Sequence, residues 1–106
     1  MDTTDQIRRL NDLARQSLSG CRLMITSGIN ALDDVNAIIA AVQIYSDFNA
    51  DNDPYHEHDF GSFMHANQKI FWKFDYYDKC LTNASENPAD PSITERVLTI
   101  MLAEEY

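Results

Sequence analysis

The apolar positions near the amino terminus recur at the spacing of a helix. The recurring positions are Ile7, Leu10, Ala14 and Leu18. This spacing predicts an amphipathic helix over residues 3–18, with Gly20 as its stop signal. The next segment, residues 21–26, is short, apolar and partly β-branched, which predicts a strand.

A second helical pattern begins after the Ser-Gly turn at residues 27–28. Its apolar positions are Leu32, Val35, Ile38, Ile39, Val42 and Tyr45. We therefore predict one long core helix that is capped by Asn30 and ends near Phe48. Residues 49–54, rich in Asn, Asp and Pro, then predict a loop.

In the middle of the chain the pattern changes from helical spacing to alternation. Strands are predicted over residues 59–65 and 69–77, joined by a turn at residues 66–68. The face of the second strand that we assign to the core carries Ile70, Trp72, Phe74 and Tyr76. Its other face, with Phe71, Lys73, Asp75 and Tyr77, is expected to be more exposed because successive side chains of a strand alternate in direction.

A last helix is predicted to begin at Asp90 and Pro91, since Pro is favoured at the first position of a helix. Its apolar stripe consists of Ile93, Val97, Ile100 and Met101. The element order αβαββα predicts an α+β fold with a small, mostly antiparallel sheet of about three strands, backed by helices. We expect a single domain over residues 1–106, with an N-terminal helix in residues 1–20 and an α+β core in residues 21–106.

The charge of the chain is strongly negative and unevenly distributed. Seventeen Asp and Glu oppose eight Lys and Arg, and no basic residue lies between Arg22 and Lys69. Seven acids lie in that interval: Asp33, Asp34, Asp47, Asp51, Asp53, Glu57 and Asp59. Such a surface repels nucleic acid and anionic membranes and attracts basic protein surfaces. We therefore expect no direct binding of nucleic acid or membrane.

The two cysteines, Cys21 and Cys80, are too few and too isolated for a disulfide framework or a CxxC metal site. No apolar run approaches the roughly 20 residues that a membrane span needs. The amino terminus lacks the basic and then apolar pattern of a secretory signal. These features predict a cytoplasmic protein with reduced thiols.

The middle of the chain also contains candidate metal ligands. The acids from Asp47 to Asp53 have the spacing that opens an EF-hand loop, but His58 occupies the twelfth position, where that loop needs a bidentate Glu. If the next residues are extended, His56 and His58 point the same way and, with Asp59, could hold zinc or iron. They are weak candidates, because no third ligand follows at a fixed spacing.

Catalysis would need a convergence of side chains that the sequence does not reveal. A general acid–base group could form from His58, Asp59, Asp75 and Asp78 if both hairpin strands end at the same edge. No nucleophile motif and no phosphate-binding glycine loop is present. Aromatics of the second strand could stack bases, but acids rather than Arg and Lys flank its tyrosines. We therefore expect a binding protein without a cofactor rather than an enzyme.

Four blocks of the chain resemble a known family. They are ITSGINAL (25–32), DNDPYHEHDFGSF (51–63), IFWKFDYYD (70–78) and NPADPSITERVLTIMLAEEY (87–106). The chain from Leu23 to Tyr106 is similar to a small bacterial family of unknown function that is carried on plasmids and other mobile elements of alphaproteobacteria. The resemblance implies membership and genomic company, but it supplies no catalytic residues.

Small acidic proteins of mobile elements resemble anti-restriction and anti-CRISPR factors in character. The sequence therefore favours an inhibitor of a host nucleic-acid-targeting defence system, acting by charge complementarity or nucleic-acid mimicry on a basic partner. The expected partner-binding residues are Asp47, Asp51, Asp53, Glu57, Asp59, Asp75, Tyr77 and Asp78. The alternatives are a small metal-dependent enzyme that uses His56, His58 and Asp59, and a regulatory partner in plasmid maintenance.

Overall fold

The computed structural model describes residues 3–106. The elements in chain order are α1 (Thr3–Ser17), β1 (Arg22–Ile25), α2 (Ser27–Ala31), α3 (Val35–Gln43), β2 (Phe60–His65), β3 (Gln68–Tyr77), β4 (Glu95–Leu102) and a final 3-10 turn (Ala103–Glu105). The strands form one sheet in the order β1-β4-β3-β2. The β1–β4 pair is parallel and the other two pairs are antiparallel. The predicted α+β class is confirmed, with four strands in place of about three.

The hydrophobic core lies between the helices and one face of the sheet. The strands contribute Ile70, Trp72, Phe74, Leu98, Ile100 and Leu102, and the helices contribute Ala14, Ile29, Ile38 and Val42. The predicted core face of β3 is therefore confirmed. Full burial of a large apolar side chain is worth about 1.5–3 kcal/mol, so this single layer of contacts dominates the stability of the fold.

The predicted long helix through residues 30–48 is wrong in its continuity. The chain forms two helices instead, because Asp33 adopts a left-handed conformation (φ 57°) between them. Asp enters this region more readily than most residues, and one left-handed residue interrupts the helical hydrogen bonds. The cap is also different: the Thr26 hydroxyl accepts a hydrogen bond from the amide of Ile29, whereas Asn30 lies inside α2.

The predicted C-terminal helix is also wrong, because residues 95–102 form β4, one of the two central strands of the sheet. Asp90 caps a turn, accepting hydrogen bonds from the amide and hydroxyl of Ser92. Burial then alternates along β4, where Arg96, Leu98 and Ile100 point into the helix layer. The apolar residues of 95–102 fit both the helical spacing and the alternation of a strand. The β-branched residues among them favour the strand.

The approach of β2 to β3 depends on a glycine. Gly61 pairs with Trp72 across the two strands. A Cβ at Gly61 would lie 2.5 Å from Trp72 Nε1 and 2.7 Å from the Tyr45 ring. The missing side chain therefore makes room for the indole ring, which is fully buried.

A buried arginine joins α1 to the end of α3. Arg15 is 2% exposed. Its Nη1 donates to the carbonyl oxygens of Val42 (2.9 Å), Gln43 (3.1 Å) and Tyr45 (3.0 Å). These carbonyls lie at the negative end of the α3 dipole, where a cation is favoured. Arg15 therefore fixes both the end of α3 and the start of the connection to β2.

We expect Arg15→Met to lower the free energy of unfolding by about 3 kcal/mol, because it leaves three carbonyl groups without their donor. Urea denaturation followed by the fluorescence of Trp72, the single tryptophan, measures the change. The matched control is Gln16→Met, whose exposed site on the same helix should shift stability by less than about 0.5 kcal/mol. Equal midpoints for the two variants would contradict the role of Arg15.

Candidate interaction site

A buried polar network lies where α1 crosses the sheet. Its centre is Asn11, which is fully buried. The Asn11 amide nitrogen donates to the Tyr76 hydroxyl (2.8 Å) and to the Glu57 carbonyl oxygen (3.0 Å). The Asn11 carbonyl oxygen accepts from Arg96 Nε at 2.9 Å. One side chain therefore ties α1 to β3, to β4 and to the α3–β2 connection.

Tyr76 and Glu57 complete this network. The Tyr76 hydroxyl donates to the Glu57 carboxylate at 2.8 Å. Burial raises the pKa of Tyr76, and the hydrogen bond to the Glu57 carboxylate raises it further. The guanidinium of Arg96 lies 5.3 Å from the Tyr76 ring and donates to the Pro88 carbonyl. Burial lowers the pKa of Arg96. The Glu57 carboxylate is thus committed to an internal contact.

A second cluster holds the turn before β2. His58 Nδ1 lies 2.9 Å from an Asp12 carboxylate oxygen, and its Nε2 lies 3.6 Å from Asp53. The His58 ring also stacks on Phe48 with 3.7 Å between centroids. The Asp53 carboxylate, 3% exposed, accepts the His58 backbone N–H at 2.9 Å. Both ring nitrogens of His58 therefore face carboxylates.

This arrangement does not fit the metal-site hypothesis. His56 and His58 both have positive φ angles (60° and 54°), so the segment is not extended as the hypothesis required. Within residues 3–106, no group of three or more His, Cys, Asp or Glu side chains is arranged to hold a metal ion. The residues present do not provide the ligand set that zinc or iron needs.

The loop that resembled an EF-hand opening is organised by amide side chains. Asn49 accepts hydrogen bonds from the amides of Asp51 and Asn52, and the Asn52 side chain donates to the Asp47 carbonyl. These contacts use Asx-turn geometry and involve neither aspartate carboxylate. Asp47 and Asp51 consequently point their charges at solvent.

The expected partner-binding residues fall into three groups. Asp47 and Asp51 are exposed, whereas Asp53 is buried and Glu57 is engaged by Tyr76. The remaining four lie at or beside β2 and β3: Asp59, Asp75, Tyr77 and Asp78. The eight residues thus do not form one uniformly exposed patch.

The acids at β3 have different local partners. Asp75 pairs with Lys73 at 2.8 Å. Asp78 accepts from the backbone N–H of Thr82, and this hydrogen bond helps to hold the pKa of Asp78 below its usual value. Tyr77 forms an isolated bridge with Ala84 and is half-buried. Asp78 therefore stays charged at neutral pH while it stabilises its own turn.

Asp59 is the carboxylate with the least favourable surroundings. Partial burial raises its pKa, and repulsion from Glu57, Asp53 and Asp75 adds to the effect. No Lys, Arg or His of residues 3–106 forms an ion pair with it. Asp59 therefore carries a charge that a cation from outside would stabilise.

Sequence reasoning missed the polar residues that build the site. Asn11 and Arg15 lie on the same face of α1 as Ile7 and Ala14, at helical spacing. A polar residue within an apolar stripe predicts a buried polar contact. Arg96 gave a similar signal only if residues 95–102 were interpreted as a strand.

The fold and site together define a two-layer α+β protein whose polar network supports the acidic segment between α3 and β2. The chain belongs to the family described as "Protein of unknown function (DUF3768)", whose model matches residues 25–105. Neither a search of curated proteins nor a search of solved structures finds a match. None of the helices within residues 3–106 combines the length and apolarity that a membrane crossing needs.

We expect Tyr76→Phe to lower the free energy of unfolding by about 1.5 kcal/mol, since it removes the hydroxyl that donates to the Glu57 carboxylate and accepts from the Asn11 amide. Chemical denaturation measures the loss. Tyr55→Phe is the matched control, because the Tyr55 side chain is 73% exposed and should tolerate the same change. A Tyr76→Phe protein as stable as the control would mean that the hydrogen bonds of the Tyr76 hydroxyl contribute nothing to folding.

The raised pKa of Asp59 has a consequence for the pH dependence of stability. The folded state binds the Asp59 proton more tightly than the unfolded chain, so ionisation of Asp59 costs stability as pH rises above the ordinary value of 3.8. We expect Asp59→Asn to be more stable than the wild type at neutral pH. The difference should vanish below that value. Thermal unfolding across the pH range measures it.

Asp90→Asn provides a control of opposite sign. Hydrogen bonds from Ser92 lower the pKa of Asp90, so its ionised form stabilises the fold and the substitution should be destabilising at neutral pH. Stabilisation by both substitutions would point to general charge repulsion rather than to the local surroundings of Asp59.

Proposed function

We propose that this protein is a non-enzymatic acidic binding protein that inhibits a host defence system acting on nucleic acid. Its partner would be a basic protein or complex that normally holds DNA or RNA. The observation that carries the proposal is the unpaired charge of residues 44–59, which we call the acidic connection. Asp47, Asp51 and Asp59 form no ion pair within residues 3–106, and the segment contains no Lys or Arg.

The acids of the connection have two roles in this proposal. Asp47 and Asp51, exposed at the loop, and Asp59 at the start of β2 would meet the cations of the partner. Asp53 and Glu57 instead hold the connection in shape through His58 and Tyr76. A shaped loop loses less conformational entropy on binding than a flexible one, which favours affinity.

The remaining candidates would extend this surface along β3. Asp75 is neutralised by Lys73, so it contributes hydrogen-bond acceptors more than net charge. Asp78 keeps its charge, and Tyr77 adds an aromatic ring of the kind that is enriched in protein interfaces. Charge complementarity of this kind mainly accelerates association and is weakened by salt. The resemblance to proteins of mobile elements also supports a role in evading host defence.

The test is an inhibition assay with defined defence nucleases. Cells that carry one restriction or CRISPR nuclease are transformed with a plasmid that the nuclease targets, with and without this protein. We expect the protein to restore transformation for its target system and to block cleavage by the purified nuclease, with weaker inhibition at high salt. Full cleavage by every nuclease in the panel would refute the proposed function.

A charge-matched pair of variants tests the role of the acidic connection. We expect Asp47→Asn combined with Asp51→Asn to lose inhibition, because it removes two exposed charges from the connection. Asp33→Asn combined with Glu86→Gln removes two exposed charges elsewhere and should retain inhibition. If both pairs lost inhibition equally, only net charge would matter.

A further inference from the structure

We call the sheet face opposite the helices the open face. It is partly covered near Met101, which is 5% exposed, and the ring of Tyr106 packs on Phe71. Paired residues of neighbouring strands point to the same side of the sheet. The pairs on the open face are Met24 with Thr99, Asp75 with Val97, and Phe71 with Met101. Core residues such as Trp72 and Leu98 occupy the alternate positions. The open face is therefore a separate surface with its own composition.

Aromatic and methionine side chains give the open face an apolar character. Phe71 lies 5.0 Å from Phe60 and 5.6 Å from Tyr106, measured between ring centroids. Tyr106 is 75% exposed, Met24 is 54% exposed and Met64, on β2, is 63% exposed. Phe60, Phe71 and Tyr106 contact one another, and exposed apolar clusters of this kind often mark interaction sites.

The open face also has concave shape. A groove of about 590 Å³ runs over β1, β4 and β3, between Met24, Val97 and Tyr77. A recess of about 290 Å³ lies at the start of β2, beside Asp59 and Phe60. Lys73, Asp75 and Tyr106 line both, so the groove and the recess are adjacent.

The charges that line the groove and the recess favour a cationic partner, whereas elsewhere on the open face Lys69 Nζ lies 5.8 Å from the centroid of the Phe71 ring. Lys73 is the one Lys or Arg in the two linings, and Asp75 neutralises it at 2.8 Å. Neither Asp59 in the recess nor Glu105 in the groove forms an ion pair within residues 3–106. Hydrogen bonds from the Thr26 hydroxyl and the Leu102 and Gly28 amides lower the pKa of Glu105, so it is ionised at neutral pH.

We propose that the open face is the docking surface for a basic, apolar segment of a partner protein. Apolar side chains of that segment would fill the groove, and a Lys or Arg side chain would enter the recess. There it would meet the Asp59 carboxylate beside aromatic rings, a combination that attracts cations. The inference rests on the proposed function for the basic character of the partner and adds the apolar contact that charge alone does not supply.

Other occupants fit this surface less well. A second copy of the chain would present a groove and a recess of the same negative charge, and repulsion between like charges opposes association. Nucleic acid could stack on the aromatic rings, but the same carboxylates repel its phosphates. A basic and apolar peptide segment satisfies both features of the open face.

Chemical-shift mapping on the isotope-labelled full chain tests the inference directly. The probe is a short synthetic peptide of alternating leucine and arginine. We expect shifts at the β3 and β4 amides around Phe71, Asp75 and Val97, and a lower pKa for Asp59 when the peptide is bound. Shifts confined to Asp47, Asp51 and their neighbours would overturn the inference.

Three further probes separate the contributions. A serine–arginine peptide of equal length and charge should bind more weakly, whereas equal binding would overturn the apolar part. A leucine–glutamate peptide and oligothymidylate should leave the open face unshifted, and a shift with either would overturn the stated partner chemistry. Concentration-dependent shifts of the protein alone at these amides would identify a second copy as the occupant and overturn the proposal.

Variants complete the test. Asp59→Asn should weaken binding of the leucine–arginine peptide about tenfold, and Val97→Asp should weaken the apolar contact. Glu86→Gln, at an exposed site outside the groove and the recess, should bind the peptide as the wild type does. Unchanged affinity of both open-face variants would overturn the inference, and retained spectra establish that each variant is folded. Because no nuclease is involved, failure here leaves the inhibition assay intact, and failure of that assay leaves the docking surface intact.

Discussion

The guanidinium of Arg15 is the contact on which the helix layer depends. It ends α3 by donating to three carbonyl oxygens, and it lies 5.5 Å and 5.3 Å from the ring centroids of Phe48 and Trp72. Arg15 Nε and Trp72 Nε1 are buried and have no hydrogen-bond partner within residues 3–106, which is a cost of this arrangement. A buried cation that lacked its acceptors would cost several kcal/mol, so α1, α3 and the sheet are strongly coupled.

Arg15 also links the hydrophobic core to the acidic connection. Arg15 Nη2 lies 3.3 Å from Asp12, and that carboxylate also contacts His58. The family match begins at residue 25, yet Asn11, Asp12 and Arg15 all belong to α1. The helix outside the matched segment therefore determines the shape of the loop inside it. Removal of α1 would leave the Glu57 carbonyl and the end of α3 without their donors.

The elements that could be predicted from the sequence are those whose apolar spacing fits either a helix or a strand but not both. Alternation in β3 and helical spacing in α1 were each unambiguous, and the core face of β3 follows directly from its period. In residues 95–102 the apolar residues are so dense that both periods fit, and only the pairing with β3 and β1 settles the choice. Asp53 contacts His58, whose ring in turn contacts Asp12 across 46 residues of chain, and no local pattern encodes that second contact.

The acids of this protein therefore divide by environment rather than by position along the chain. Asp53 and Glu57 are used inside the fold, while Asp47 and Asp51 face solvent. Asp59 belongs to both sets, since the carboxylates of Asp53 and Glu57 repel it and it also lines the recess of the open face. A cation that entered the recess would relieve a repulsion already present in the folded chain. Binding of a basic partner would thus relieve the electrostatic repulsion around Asp59, and this relief would add to the affinity.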